Sequence, residues 1–298
     1  MTGTIFIIQV LNSLFYAAVL FLISAGLSLI YGVMRIVNLA HGTLYALGAY
    51  VAAWIVGSAF GHTVSGTLGL VGLLLLLPLA AVVIAAVGAA IEPTLLRPLY
   101  RRPEEYHLLI TFGLLMILED VMKILFGGTP LSAGLIMDHM GSIPIGRLLY
   151  PSYNLLVIVI GLLCAVGLWW FIYRTKFGVI LRATSQDRRM ASALGLNVGM
   201  VYVQAFAIGC FLAGLGGAVV VPAQAAVLGM GVDALILSFV VIVIGGLGSL
   251  EGAFVGALIV SFVRTAGIQF FPEIELAVLY LIAAAVLMIR PTGLFGRA

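Results

Sequence analysis

RTKFGVILRATSQDRRMASALGLN, Arg174–Asn197, is the longest polar interruption in an otherwise strongly apolar chain. It holds Arg174, Lys176, Arg182, Arg188 and Arg189, five of the chain's 14 Lys and Arg residues. On either side the sequence reads as helix buried in lipid. Of the 298 residues, 63% are hydrophobic and only 8% are charged, and the mean hydropathy is +1.27. A water-facing surface needs charge at roughly a quarter of its positions, so a soluble fold of this size is excluded. The apolar runs reach the ~20 residues that a helix needs to cross the hydrocarbon core. Helix is the default, because backbone polar groups in lipid must be satisfied within the segment. A membrane β-barrel would show short alternating segments, and these runs do not alternate. The fold class is therefore an all-α polytopic membrane protein, with residues 1–298 as one domain.

The runs can be walked in order. Ile5–Met34 is the first, followed by the polar break RIVNLAHG, Arg35–Gly42, and then Thr43–Gly57. The first run lacks a basic lead-in and a small-residue cleavage site, so it reads as a retained helix, not a signal peptide. Leu68–Leu96 ends in the proline-rich loop Glu92–Tyr106. His107–Phe126 precedes Gly127–Ser152, which reads as a loop punctuated by Gly and Pro. Tyr153–Tyr173 leads into the charged stretch, and Gly199–Gln224 leads out of it. Asp233–Val263 is broken by four glycines within Ile244–Gly252, and Leu276–Ile289 closes the set. Eight or nine transmembrane or half-membrane helices follow.

Three segments, Arg97–Arg102, Arg174–Arg189 and Arg290–Arg297, carry ten of the 14 basic residues. The loops of opposite parity carry only Arg147. The positive-inside bias places the three basic segments in the cytoplasm, with the N-terminus outside. The net charge of +3 thus orients the protein in a bilayer and is no signal for nucleic acid. Cys164 and Cys210 lie in apolar runs without a CxxC pattern, so no disulfide framework is expected.

LAHGTLYALGAYVA (Leu39–Ala52) resembles GLGSLEGAFVGALI (Gly246–Ile259), each with Gly-Ala-aromatic after a polar residue. One reading is an internal repeat with broken helices in matching positions, as in transporters. The other is that glycine-rich helix packing produces such likeness by chance.

Few residues bear chemistry. Arg35, Asn38 and His41 either line a polar path or form an interfacial turn, since ionisable groups at bilayer depth are costly unless paired or used. Glu251 follows GGLGS and sits where a helix starts, as the helix dipole favours, or else it gates a path. Glu119, Asp120 and Lys123 lie in one run. Glu119 and Lys123 are spaced to pair on one face as an internal ion pair, or the three form an ion relay. There is no GxxxxGK[ST] phosphate loop and no HExxH, and His41, His62, His107 and His139 are scattered. No catalytic residue, metal site or cofactor is expected in this chain, and energy from ATP must come from another.

Within the charged stretch, Thr184 and Asp187 have the T-x-x-D spacing of a helix start. Met190 and Leu194 form an apolar stripe, and Gly195 suits a left-handed stop. These predict a short helix over Ser185–Leu194 lying along the inner face, with Arg188 and Arg189 on its other side. An interfacial helix resting on lipid is the plainer alternative to a docking element.

IYGVMRIVNLAHGTLYALGAY, GVILRATSQDRRMASALGLNV, VIVIGGLGSLEGAFVGALIV and IRPTGLFGR together resemble, in order, the branched-chain amino-acid ABC permease family of the leucine/isoleucine/valine type. The chain is similar to its shorter, LivH-like members rather than the longer LivM-like ones. The resemblance implies one membrane half of an importer in a prokaryotic inner membrane. Its implied partners are a second permease subunit (LivM-like or another copy), two ABC ATPases that use ATP and Mg, and an extracytoplasmic binding protein. The coupling loop would be 174–198, with Phe177, Gly178, Arg182, Ala183, Asp187, Arg188, Arg189, Ala193, Leu194 and Gly195 as the ATPase-facing set. Asn38, His41 and Gly42 match an NxAHG pattern, and Gly245, Gly246, Gly248, Glu251 and Gly252 match a glycine-rich pattern. Both sets, Gly252 excepted, are candidates for the translocation pathway. Relatives often have Phe at the position of Leu39 and an acid at that of Thr43, so neither is assigned a substrate contact. The same family includes permeases for urea and short amides and for aromatic or hydrophobic carboxylates. From another class, an autonomous channel or ion-coupled carrier would use Glu119, Asp120 and Lys123.

Overall fold

A computed structural model describes residues 2–60, 66–100, 102–270 and 272–296. The apolar runs form helices as their length and composition require. They are α1 (Thr2–Met34), α2 (His41–Phe60), α3 (Gly66–Ile91), α4 (Glu104–Phe126), α5 (Leu135–Met140), α6 (Ser152–Arg174), α7 (Lys176–Gln186), α8 (Arg188–Ala193), α9 (Val198–Val220), α10 (Met230–Gly245), α11 (Leu250–Phe270) and α12 (Glu275–Ile289). Six of them, α1, α2, α3, α6, α9 and α11, are long and apolar enough to cross a bilayer, and α10 and α12 are shorter apolar helices. Among the described residues there are thus nine long helices and three short ones, in agreement with an all-α polytopic membrane protein.

The core lies where α9 packs against α1, α2 and α3, with α11 against α1. Phe21, Leu22, Ile23, Leu27 and Ile30 of α1 are almost wholly buried, as is Phe206 of α9. Small residues let the backbones approach, which is how membrane helices gain packing without a hydrophobic drive between them. The outward faces of α3, α4 and α6 carry exposed Leu79, Val82, Phe112, Ile117, Leu163 and Val166, as lipid contact requires. Trp169 and Trp170 are exposed near the end of α6, just before Arg174, whose guanidinium lies 5.8 Å from the Trp169 ring. Such aromatic and basic residues mark a membrane–water boundary.

Two features differ from the sequence reading. Gly127–Ser152 is not a plain loop. It contains α5 and an antiparallel hairpin, β1 (Ser142–Ile145) with β2 (Leu148–Pro151), paired from Ser142↔Pro151 to Ile145↔Leu148. The turn is Gly146-Arg147, with Gly146 at φ +65°, so glycine takes the conformation that a two-residue hairpin needs. Glu119, Asp120 and Lys123 do not form an internal group. Asp120 and Lys123 are exposed on the outer side of α4 and Glu119 is half-buried. The buried face of α4 is taken by Leu114, Leu115, Leu118 and Met122, which leaves the charged side chains outward. The break in Asp233–Val263 falls at Gly246–Ser249, where the sequence placed it, and α10 and α11 run into and out of it.

α3 ends in a wide π turn, Glu92–Leu96, followed by a 3₁₀ turn, Arg97–Leu99. Arg97 then lies against Gly199 at the start of α9. Arg35, Arg182 and Pro291 share one cavity, and Arg35, Arg102, Arg188 and Arg189 share another. The three basic segments therefore meet at one end of the bundle, hereafter the basic end.

Candidate functional site

The charged stretch folds as two helices, not one. Thr175 caps α7, its Oγ1 accepting from the Gly178 N–H at 3.1 Å. α7 is amphipathic in its own right, burying Gly178, Leu181 and Thr184 on one face. A side chain on Gly178 would run into the Ile172 carbonyl, so this residue seats α7 directly against α6. Phe177 packs on Phe171 with ring centroids 5.4 Å apart, and the Arg182 guanidinium lies 4.9 Å from the Tyr173 ring.

The predicted start at Thr184 is corrected. The Thr184 hydroxyl donates to the Ile180 carbonyl within α7, and Asp187 is the cap of α8. Asp187 has extended backbone, and its Oδ1 accepts from the N–H groups of Arg189 and Met190 at 2.8 and 3.0 Å. A carboxylate that takes two amide donors outcompetes a hydroxyl with a helix carbonyl nearby. Those amides, Met190 first, hold the Asp187 carboxyl below the usual carboxylate range. So the helix predicted over Ser185–Leu194 is split at Asp187, and α8 covers Arg188–Ala193. The stop does fall at Gly195, at φ +83°, a conformation that favours glycine.

α8 presents an unusual surface. Met190 is 58% and Leu194 75% exposed, and Arg188, Arg189, Ala183 and Ala193 are exposed beside them. Only Ala191 of α8 is buried. The predicted apolar stripe exists and faces away from the bundle.

The break Arg35–Ala40 climbs back into the bundle. His41 opens α2, and its Nε2 lies 2.9 Å from the Ile23 carbonyl of α1. Ile23 is about 16 Å up α1 from Met34, at about 1.5 Å per residue. The Asn38 side-chain oxygen accepts from the Ala40 N–H at 3.2 Å, and its backbone carbonyl accepts from His41 N–H. Asn38, His41 and Thr43 are fully buried. Gly42 meets Gly231 of α10 backbone to backbone: a Cβ on Gly231 would lie 2.6 Å from the Gly42 carbonyl oxygen. α10 has 16 residues, about 24 Å, less than the ~30 Å hydrocarbon core, so it too begins inside the bundle.

The glycine-rich break is similar in its tightness. Gly245 packs on Gly252, Gly246 (φ +110°) on Gly296 of the tail, and Gly248 (φ +78°) on Gly32 of α1. Glu251 is exposed in the first turn of α11, while Ser249 provides the cap, its Oγ accepting from Gly252 N–H at 3.0 Å. Of the seven pathway candidates, Gly248 and Glu251 line a cavity of about 960 Å³ at the basic end, together with Arg35, Arg182 and Ser249. Asn38, His41, Gly42, Gly245 and Gly246 line neither cavity described here. In the two similar stretches, GAY and GAF both put a glycine against a neighbouring backbone, Gly48 on Gly214 and Gly252 on Gly245. Such glycine contacts are common where membrane helices touch.

One buried group escaped the sequence reading. Glu92 is fully buried and accepts a hydrogen bond from the Tyr100 hydroxyl. Tyr100 packs edge-on against Tyr202 of α9, with ring centroids 5.2 Å apart. Its only sequence signal is a carboxylate at the end of an apolar run with a tyrosine two helical turns later.

A membrane bundle with buried helix starts, a basic end and an outward-facing helix pair has the frame of a transport subunit. Residues 9–289 match the family described as "Branched-chain amino acid transport system / permease component", and the chain belongs to that family. It is 28% identical over 299 residues to the high-affinity branched-chain amino acid transport system permease protein BraD of Pseudomonas aeruginosa, covering 97% of this chain and 95% of BraD. It is 26% identical to LivH of Escherichia coli, with 98% and 96% covered, and 26% identical to a LivH of Methanocaldococcus jannaschii, with 96% and 91% covered.

Proposed function

We propose that this permease is half of the membrane path of an ATP-driven importer for branched-chain or other hydrophobic amino acids. The names of its relatives support the substrate class. The positive-inside bias supports an orientation with the basic end and C-terminus in the cytoplasm and the N-terminus outside. A second permease subunit completes the path, and an extracytoplasmic binding protein delivers the substrate.

The observation that carries this reading is α7–α8. A helix pair capped at both starts, pinned to α6 and exposing Met190, Leu194, Arg188 and Arg189 is a docking element. The sequence has no phosphate loop of its own, so the partner it presents itself to is an ATPase. Closure of the ATPase pair on ATP pushes α8. The pinned α7 passes the movement to α6 and α1, and the path switches from outward to inward facing. The cavity beside Gly248 and Glu251 is then the inner vestibule, and Asn38, His41 and Gly42 form the fixed hub behind it.

The test is substrate-stimulated ATP hydrolysis and uptake in proteoliposomes holding the full complex. Arg188→Glu and Leu194→Asp are expected to lower both severalfold while the permease still folds and inserts. Undiminished coupling in both variants would remove α8 from the mechanism. Uptake by this chain alone, without ATPase, would favour an autonomous carrier.

A further inference from the structure

A cavity of about 420 Å³ opens at the basic end between the α7–α8 segment and the corner joining α3 to α4. Four arginines line it, Arg35, Arg102, Arg188 and Arg189. They come from three segments far apart in sequence, so no local pattern announces the cluster. The acids on the same wall are Glu104 and Asp187. Asp187 is committed to the α8 cap through its two amide donors. The balance at the wall is positive.

The floor is aromatic. Tyr100 and Tyr202 pack edge to face there, and the Tyr100 hydroxyl is held by the buried Glu92. His107 lines the same cavity, is 8% exposed, and its Nε2 has no hydrogen-bond partner. Arg35 is the one non-glycine among the described residues with positive φ, at +55°. A large side chain held in the left-handed region is strained, and such strain concentrates at binding and switch sites. Arg35 lines both basic-end cavities.

We propose that this cavity binds a phosphate-bearing anion, one that bridges the α8 arginines to the α3–α4 corner. The fork geometry of guanidinium suits phosphate oxygens, and an unpartnered imidazole nitrogen on the floor adds a further hydrogen-bonding group. The site lies at a membrane–water boundary, where basic pockets between helices take lipid headgroups. A phospholipid headgroup and free phosphate share this chemistry. Either would stiffen α8 relative to the bundle, and so set how firmly a push on α8 is transmitted. The site itself does not depend on which substrate the permease carries.

The experiment uses the full-length chain in nanodiscs. Thermal stability and lipid retention by native mass spectrometry are read in phosphatidylcholine discs, in discs containing phosphatidylglycerol, and in phosphatidylcholine discs titrated with inorganic phosphate against chloride at matched ionic strength. Stabilisation and retained lipid with phosphatidylglycerol alone identify the headgroup. Stabilisation by phosphate in phosphatidylcholine discs identifies the free anion. In either case Arg102→Gln is expected to weaken the effect about fivefold, the contribution of one basic side chain near an anionic surface. Arg35→Gly removes a guanidinium while relieving the backbone strain, so it keeps the fold and is expected to weaken the effect similarly. Arg147→Gln, on the hairpin turn, should change nothing. No stabilisation by either anion, or full stabilisation retained in both Arg102→Gln and Arg35→Gly, would overturn the proposal.

Discussion

The hub where α2 and α10 begin and the α7–α8 segment at the basic end are both interruptions in apolar helix, yet they are built in opposite ways. At the hub, Asn38, His41 and Thr43 are turned inward and fully buried. Asn38 holds the turn, His41 is tied to Ile23, and Gly42 and Gly231 leave no room between backbones. At the basic end, α8 keeps one buried residue, Ala191, and offers the rest outward. Polar residues inside a bilayer must be satisfied within the protein, whereas those at its surface are free to meet a partner. The difference separates a part that holds shape from a part left open to a partner.

Substitutions should break the two regions differently. The largest effect is expected from Gly42→Val. Its side chain would meet the Gly231 carbonyl, a backbone group that cannot turn away, so the loss should reach or exceed about 3 kcal/mol, the upper end for overpacking. Thermal unfolding in detergent, or loss of monodisperse protein, would show it. His41→Leu comes next. It removes the link to the Ile23 carbonyl and should cost about 1–2 kcal/mol, seen as a lower Tm, with hydrolysis per folded complex unchanged. A coupling defect out of proportion to the Tm loss would instead give His41 a role in the path.

Gly195→Val tests the other region. The left-handed φ there makes any side chain costly by about 1–2 kcal/mol, but the site is open, so only the end of α8 should suffer. The bundle Tm should hold while stimulated ATP hydrolysis falls. The smallest effect is expected at Asp187. Asp187→Ala should fray α8, read as faster amide exchange at Arg189 and Met190, and Asp187→Asn should largely retain the cap. The cap also has a pH signature. Because the folded carboxyl is held below its unfolded value, its contribution is present above that unfolded value and is lost as pH falls through the lower, folded one. Protection of the Met190 amide, relative to its intrinsic exchange rate, should therefore fall in acid in the native chain, but not in Asp187→Asn.

Much of this protein was legible from composition and spacing. Apolar runs of span length make helices wherever they occur in lipid, because no other local structure satisfies their backbone. That determined the helices, the break after Met34 and the break near Gly246, and the apolar stripe with its stop at Gly195. It also made the three basic segments candidates for one side. Only tertiary structure decided the rest. The T-x-x-D spacing put the cap at Thr184, yet Asp187 holds it, because its neighbours left two amides free. Glu119 and Lys123 have pairing distance along a helix, but which face of α4 is buried depends on what packs there. The meeting of Gly42 with Gly231, and of Arg35 and Arg102 with Arg188 and Arg189, joins residues far apart in the chain. Periodicity is a local property, and it holds no record of which helices will lie side by side.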